Sequence, residues 1–321
     1  MLSRETAFMF NNLLFATFTF TVLLGTMFPL VVEAFTNEKV SVGAPFFNQM
    51  TVPLCVALLF LLGVGPMLPW RAARTDQLRR ESVPPIAAFF VTLVLALIFH
   101  VRSIYGVLAF AFTGFALVAN VQQFAMAAAA RRRATGANPV GALWGAMNAN
   151  PRRYGGYIAH IGVIIIALGI TASSVFRTES EATLRVGEAM RIGEYSVRFD
   201  SLFASREPHR DIVGAVMSVT VNGKKLGVLE PRLNWYVSEG GNTTPTPGVR
   251  SSFRNDLYLV LKEYSAPTSA QGQTASISAI VEPWVSWIWF GALVIASGAV
   301  FGAVKRRGDR PLDPDAGAGI A

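Results

Sequence analysis

Three histidines, His100, His160 and His209, are the side chains in this 321-residue sequence that are best suited to metal binding or proton transfer. His160 lies near the start of a long apolar run, which ends at Val175 and is typical of a membrane-spanning helix. An ionisable side chain inside the bilayer is costly, and by default it is a functional candidate that faces the bundle interior. An interhelical hydrogen bond, worth about 1 kcal/mol, explains it equally well.

A neutral imidazole is a standard axial ligand of haem iron, and a haem in a membrane bundle typically takes two. His100 falls at the outer end of one predicted helix and His160 near the inner end of another, so their heights differ by roughly 20 Å. Because two axial nitrogens lie about 4 Å apart, a second histidine ligand must belong to another chain. We interpret His100 as an interfacial residue, with a site at the outer surface as the alternative. His209 is interpreted as a solvated surface residue on the usual exposure of such side chains.

Small residues lie close to His160 in the sequence. Gly155, Gly156 and Gly162 allow either another helix or a flat cofactor to approach closely, and helix packing is the commoner cause. The single cysteine, Cys55, excludes an internal disulfide and a C-x-x-C redox or zinc site within the chain.

The composition of the chain indicates a membrane protein. Apolar residues make up 52% of the sequence and charged residues only 15%, with a mean hydropathy of +0.42, whereas soluble domains carry about 25% charged residues. Six stretches are long enough, or nearly so, to cross the hydrocarbon core as helices. They are Phe8–Val32, Thr51–Trp70, Pro85–Val101, Tyr105–Ala127, Tyr157–Val175 and Trp284–Val304.

The formal net charge of +8 predicts the orientation in the membrane, because lysine and arginine are enriched in cytoplasmic loops. If both termini are cytoplasmic, the inner segments carry the whole surplus of positive charge, and the outer segments have no net charge. A basic chain also suggests nucleic acid as a partner, but this distribution favours anionic lipid instead. We expect an inner-membrane, multi-pass protein and no nucleic-acid partner.

Residues 176–282 have the composition of a soluble domain and are expected outside the cytoplasm, in the periplasm. Apolar and polar residues alternate with the period of a β-strand in Tyr195–Asp200, Ala215–Val221, Asp256–Leu261 and Ser276–Val281. Asn222-Gly223 is a hairpin signal, and the stretch Asn242–Gly248, rich in threonine and proline, predicts a loop. The pattern favours a small antiparallel sandwich or partly open barrel, without a nucleophile and base set.

The predicted fold is thus an α-helical bundle of six transmembrane helices with a small extracytoplasmic antiparallel β domain inserted between helices five and six. The predicted division is a five-helix transmembrane region over 1–175, the β domain over 176–282, the sixth helix over 283–304 and a disordered cytoplasmic tail over 305–321.

Seven motifs stand in order along the chain: Ser3–Leu14, Leu23–Leu30, Lys39–Asn48, Gly63–Arg71, Arg152–Gly162, Glu230–Tyr236 and Asp256–Leu261. Together they resemble the CcmF family of cytochrome c biogenesis proteins, from Ser3 to about Val304, and match only the C-terminal half of its members. The resemblance implies part of the haem lyase that joins haem to the C-x-x-C-H motif of apocytochrome c through thioether bonds. In that family two histidines hold a haem b inside the membrane, and His160 matches the more C-terminal one, which implies axial ligation.

The N-terminal half of the family carries the tryptophan-rich segment, two outer histidines and the partner ligand of haem b, and this chain matches none of them. We therefore expect either one product of a split gene or a truncated reading frame, which shares haem b with an N-terminal partner chain and is inactive alone. No catalytic residue is assigned. The other implied partners are cytochrome c maturation proteins that include a haem chaperone, and apocytochrome c, for which the β domain is a docking site.

Two alternative hypotheses assign this chain a different function. The first is a membrane transporter or permease component in which His160 relays protons, although no intramembrane carboxylate or inverted repeat supports it. The second is a non-catalytic scaffold of the cytochrome c maturation complex.

Overall fold

The structure is a computed structural model that describes residues 4–68, 75–236, 243–265 and 272–303. The predicted tail, residues 305–321, lies outside the described residues. Within the described parts the chain forms seven α-helices and ten β-strands. The helices are α1 (Arg4–Thr36), α2 (Ala44–Val64), α3 (Thr75–Ile98), α4 (Ile104–Thr135), α5 (Pro139–Ala149), α6 (Pro151–Val175) and α7 (Ser286–Ala303).

Six of these helices are long and apolar enough to cross a membrane: α1, α2 with the 3-10 turn Gly65–Met67 that follows it, α3, α4, α6 and α7. The short α5 is not among them. Helix α4 begins at an N-cap, where the Ser103 side chain accepts a hydrogen bond from the Gly106 amide, and ends before Gly136, whose φ of 67° suits glycine. The prediction of six apolar helices is confirmed.

Helix α6 begins at Pro151, six residues before the predicted apolar run. Arg152 and Arg153 lowered the hydropathy of its first turns, but they do not oppose helix formation, because arginine is a good helix former. His160 consequently lies nine residues, or about 14 Å, along the helix rather than one turn from its start.

The polar segment between α6 and α7 folds as a β-sandwich of two antiparallel sheets, which confirms the predicted β domain and selects the sandwich over the barrel. One sheet has the strand order β1-β10-β9-β8, and the other β2-β3-β4-β6-β7 with β5 paired to β4. The strands are β1 (Thr178–Arg185), β2 (Ala189–Ile192), β3 (Tyr195–Glu207), β4 (Arg210–Val221), β5 (Lys224–Leu229), β6 (Arg232–Tyr236), β7 (Thr243–Thr246), β8 (Gly248–Arg250), β9 (Asn255–Ser265) and β10 (Thr274–Pro283).

The core of the sandwich comes from residues that alternate along strands of both sheets. Val197 and Phe199 of β3 and Met217 of β4 pack in one cluster with Leu259 of β9 and Ile277 of β10, and all five are fully buried. This is the period-two pattern expected where one face of each sheet is buried. The four strands predicted from alternation are therefore confirmed.

The predicted loop over Asn242–Gly248 is wrong for Thr243–Thr246, which is the edge strand β7. It pairs with β6, and the buried Asn234 side chain of β6 donates to the Thr244 carbonyl at 3.0 Å and to the Thr246 hydroxyl at 2.8 Å. Threonine favours strands, and proline is tolerated on an edge strand, where it need not donate to a neighbour. The hairpin at Asn222-Gly223 joins β4 to β5 with positive φ at both residues, as predicted.

Candidate functional site

The three histidines occupy different surroundings. His100 has a φ of 55° in the turn between α3 and α4 and is exposed. His209 is exposed at the turn between β3 and β4. His160 alone is partly enclosed by other helices. His100 is not among the described contacts of His160, which remains the site candidate.

The Nδ1 atom of His160 lies 3.2 Å from the Oδ1 atom of Asn120 in α4. The orientation of the Asn120 amide is set by its nitrogen, which donates to the Ala116 carbonyl at 2.8 Å and to the Leu62 carbonyl at 3.2 Å. Its oxygen must then face His160, and an amide oxygen only accepts. It follows that Nδ1 of His160 carries the proton and that Nε2 presents its lone pair.

A second set of polar contacts lies nearer the start of α6, around Arg153, about two turns before His160. Arg153 donates from Nε to the Tyr157 hydroxyl at 3.2 Å and from Nη2 to Oε1 of Gln123 in α4 at 3.4 Å. Its guanidinium also lies 5.9 Å from the centre of the Tyr154 ring and 5.6 Å from that of Tyr157. The Arg153–Gln123 and His160–Asn120 contacts both join α6 to α4. Together they fix the height of the imidazole along α6.

His160 and Tyr157 line a cavity of about 170 Å³ together with residues of α1 and of the end of α2. The other lining residues are Arg4, Ala7, Phe8, Asn11, Leu61, Leu62, Gly65 and Pro66. Pockets that enclose a whole ligand of drug size measure about 300–1,000 Å³. The cavity is thus too small to enclose a ligand of that size by itself.

The glycines of α6 separate into two faces. A Cβ atom on Gly155 would lie 2.5 Å from the Gly298 carbonyl oxygen, and one on Gly162 would lie 2.7 Å from that of Gly291, so both glycines pack on α7. Gly156 has no atom within 4 Å of such a Cβ. It lies four residues before His160 and shares its face. Gly155 and Gly162 therefore serve helix packing. Open space is left at Gly156, about one turn before His160.

The β-sandwich contains a buried carboxylate, Asp256, whose contacts hold the loop before β9 in place. It accepts hydrogen bonds from the Ser251 hydroxyl and the Ser252 amide, both at 3.1 Å, and from the Tyr258 hydroxyl at 3.4 Å. Burial, and then the nearby Asp256 charge, raises the pKa of Tyr258, so the phenol stays protonated and donates. No histidine is among the described contacts of this cluster.

The side chains near His160 that sequence reasoning did not single out for the candidate site are Asn120, Gln123, Arg153 and Tyr157. The signal for Asn120 was an amide inside an apolar helix, where a polar side chain is expensive unless it is bonded. The signal for Gln123 was its place three residues later, since residues three apart lie on the same helix face.

Comparison with known proteins relates this chain to a family. A family model described as the CcmF C-terminal β-sandwich matches residues 175–279. The chain is similar to the cytochrome c-type biogenesis protein CcmF of Pseudomonas aeruginosa, with 28% identity over 306 residues, 95% of this chain and 44% of that protein. It is also similar to CcmF of Escherichia coli, with 30% identity over 93% of this chain and 43% of that protein.

A solved structure titled cytochrome c haem lyase CcmF superposes with a TM-score of 0.67 and 30% identity, over 95% of this chain and 46% of that one. The chain therefore spans less than half the length of the relatives that it matches. Because the motifs, the family model and the fold agree, the resemblance of this chain to the C-terminal half of the CcmF family of cytochrome c-type biogenesis proteins is confirmed.

Proposed function

We propose that this chain is the C-terminal part of a haem lyase for cytochrome c maturation and that His160 is one axial ligand of a haem b in the membrane. The N-terminal half of the lyase supplies the rest of the site, including the second ligand. The observation that carries the proposal is the imidazole of His160, which is partly enclosed by helices, held by Asn120 through Nδ1 and part of the lining of a cavity.

The donor set fits a haem better than a bare metal ion. Among the described residues no group of three or more histidine, cysteine, aspartate and glutamate side chains is placed to hold a metal ion. A haem brings four nitrogen ligands of its own and asks the protein only for axial ones. One histidine with a free Nε2 is therefore a sufficient contribution from this half, and the open space at Gly156 leaves room for a flat group.

Each residue at the site has a role that follows from its contacts. His160 offers the Nε2 lone pair, and Asn120 keeps the proton on Nδ1. Arg153 and Gln123 hold α6 against α4. When bound, haem b supplies one-electron redox chemistry. Within the proposed complex, we assign this chain the binding and orientation of that group, and no catalytic residue of thioether formation.

The β-sandwich is proposed to dock apocytochrome c. It contains a cleft of about 450 Å³ whose wall includes Trp235 and Tyr264, with ring centres 6.1 Å apart, and whose rim carries the Arg206–Asp211 ion pair at 2.8 Å. Aromatic residues and arginine are enriched in protein interfaces, which supports this cleft as the docking surface.

The function is tested by complementation. The chain is produced with the N-terminal half of E. coli CcmF, truncated before the matched region, in a strain without its own CcmF. We expect the two halves together to restore covalent haem attachment to cytochrome c, measured by haem staining, and neither half alone to do so. A chain that restores attachment alone, or a pair that forms a complex without restoring it, would contradict the proposal.

The same assay separates docking from haem binding. Tyr264→Ala should lower the cytochrome c yield several-fold while the haem b content of the complex stays unchanged, because it alters only the cleft. The matched control is Val249→Ala, since Val249 is also an exposed side chain of the sandwich but does not line the cleft. Equal yields from the two variants would exclude the cleft as the docking surface.

We further propose that both termini are cytoplasmic in the inner membrane, that residues 1–175 and 283–304 form the membrane part, and that 176–282 is periplasmic. In a Cys55→Ser background, His209→Cys should react with a membrane-impermeant maleimide on intact spheroplasts. Ala134→Cys, at the arginine-rich end of α4, should react only after permeabilisation. The reverse labelling pattern would overturn the orientation.

A further inference from the structure

Asn120 is a fully buried amide of α4, and it follows the apolar run Phe115–Ala119. Such a group destabilises a helix bundle unless its donors and acceptor are bonded. Its amide nitrogen donates to the Ala116 carbonyl of its own helix and to the Leu62 carbonyl of α2, and its oxygen contacts the His160 imidazole of α6. One side chain thus joins three helices at the level of the proposed ligand.

The Leu62 carbonyl is available because of a proline. In an α-helix this carbonyl accepts from the amide four residues later, and that residue is Pro66, which has no N–H group. The Asn120 amide nitrogen, 3.2 Å away, takes the place of the missing donor. Freed carbonyls in membrane helices are commonly satisfied in this way by neighbouring helices. Pro66 therefore creates the acceptor that turns the Asn120 oxygen toward His160.

From this geometry we infer that Asn120 is the positioning residue of the haem site. It holds His160 in the tautomer with the proton on Nδ1, aims Nε2 at the iron, and provides a neutral acceptor for the Nδ1 proton. The inference rests on the proposed function, since it assigns Asn120 a role toward the group that His160 binds. Partners that orient a ligating imidazole typically contribute 10–100-fold to metal affinity.

The test uses a chemical double-mutant cycle in the complex with the N-terminal half. His160→Gly removes the imidazole, and either free imidazole or 1-methylimidazole is then added. Free imidazole can bind iron through one nitrogen and donate from the other to Asn120, whereas 1-methylimidazole has no N–H to donate. We expect free imidazole to restore the low-spin haem b spectrum at about 10–100-fold lower concentration than 1-methylimidazole. Adding Asn120→Leu should abolish that preference.

Thr113→Val is the matched control, because Thr113 is a buried polar side chain on the same face of α4, seven residues before Asn120, and its hydroxyl donates to the Ala109 carbonyl of its own helix. It should leave the preference for free imidazole intact. Equal potency of the two imidazoles with Asn120 present, or a preference that survives Asn120→Leu, would overturn the inference and leave the proposed function standing. A wild-type spectrum in His160→Gly without any imidazole would instead refute His160 as a ligand.

Discussion

Replacing His160 with alanine is expected to remove haem b from the complex of this chain with the N-terminal half. Alanine has no lone pair to offer, and the cavity that His160 lines contains no other histidine. Loss of an axial ligand removes more than the 10–100-fold expected of a supporting residue, so the b-type absorption should be undetectable. The haem content of the purified complex, measured as its pyridine adduct, checks this result.

The other two histidines supply the controls. His100→Ala and His209→Ala change exposed residues that do not line the cavity, and both should leave the haem b content unchanged. Cytochrome c yield should follow haem content in all three variants if haem b is required for the reaction. Haem loss in His100→Ala or His209→Ala, with retention in His160→Ala, would assign the ligand to a different histidine.

Replacing Gly155 with alanine is expected to weaken the packing of α6 on α7. The added Cβ would lie 2.5 Å from the Gly298 carbonyl oxygen and 2.7 Å from the Gly302 nitrogen, which are backbone atoms that cannot move aside without separating the helices. Overpacking of this kind costs about 1–3 kcal/mol. Thermal unfolding of the purified chain in detergent should therefore show a lower midpoint than that of the original sequence.

The neighbouring residue is a matched control for this prediction. Gly156→Ala makes the same chemical change one position along α6, but its Cβ would meet no atom within 4 Å. Because alanine is a better helix former than glycine by about 0.5–1 kcal/mol, the midpoint should stay the same or rise. Equal destabilisation by both substitutions would mean that the Gly155 contact does not hold the two helices together.

Much of the architecture was predictable because hydropathy and alternation report burial directly. The apolar runs located six helices, and the period-two pattern in Asp256–Leu261 located a strand of the sandwich. The errors arose where a local signal competed with a tertiary one. Threonine and proline in Thr243–Thr246 indicated a loop, yet pairing with β6 and hydrogen bonds from Asn234 make this segment a strand.

The candidate site was predictable only in part. An imidazole in an apolar helix singled out His160, but its hydrogen-bond partner Asn120 lies 40 residues away in the sequence, and single-sequence periodicity carries no information about which helices are neighbours. The hydrogen bond from Asn120 of α4 to the Leu62 carbonyl of α2, which Pro66 leaves without a donor, also joins two helices. A proline within an apolar run showed that a carbonyl must be freed; the identity of its new donor required the packing of α2 on α4.

The most direct measurement of His160 as an axial ligand is the absorption spectrum of the purified complex carrying His160→Gly, recorded with and without free imidazole. We predict loss of the low-spin b-type spectrum without imidazole and its return when imidazole occupies the vacated position. A low-spin b-type spectrum that is unchanged by His160→Gly, with no added imidazole, would contradict the assignment.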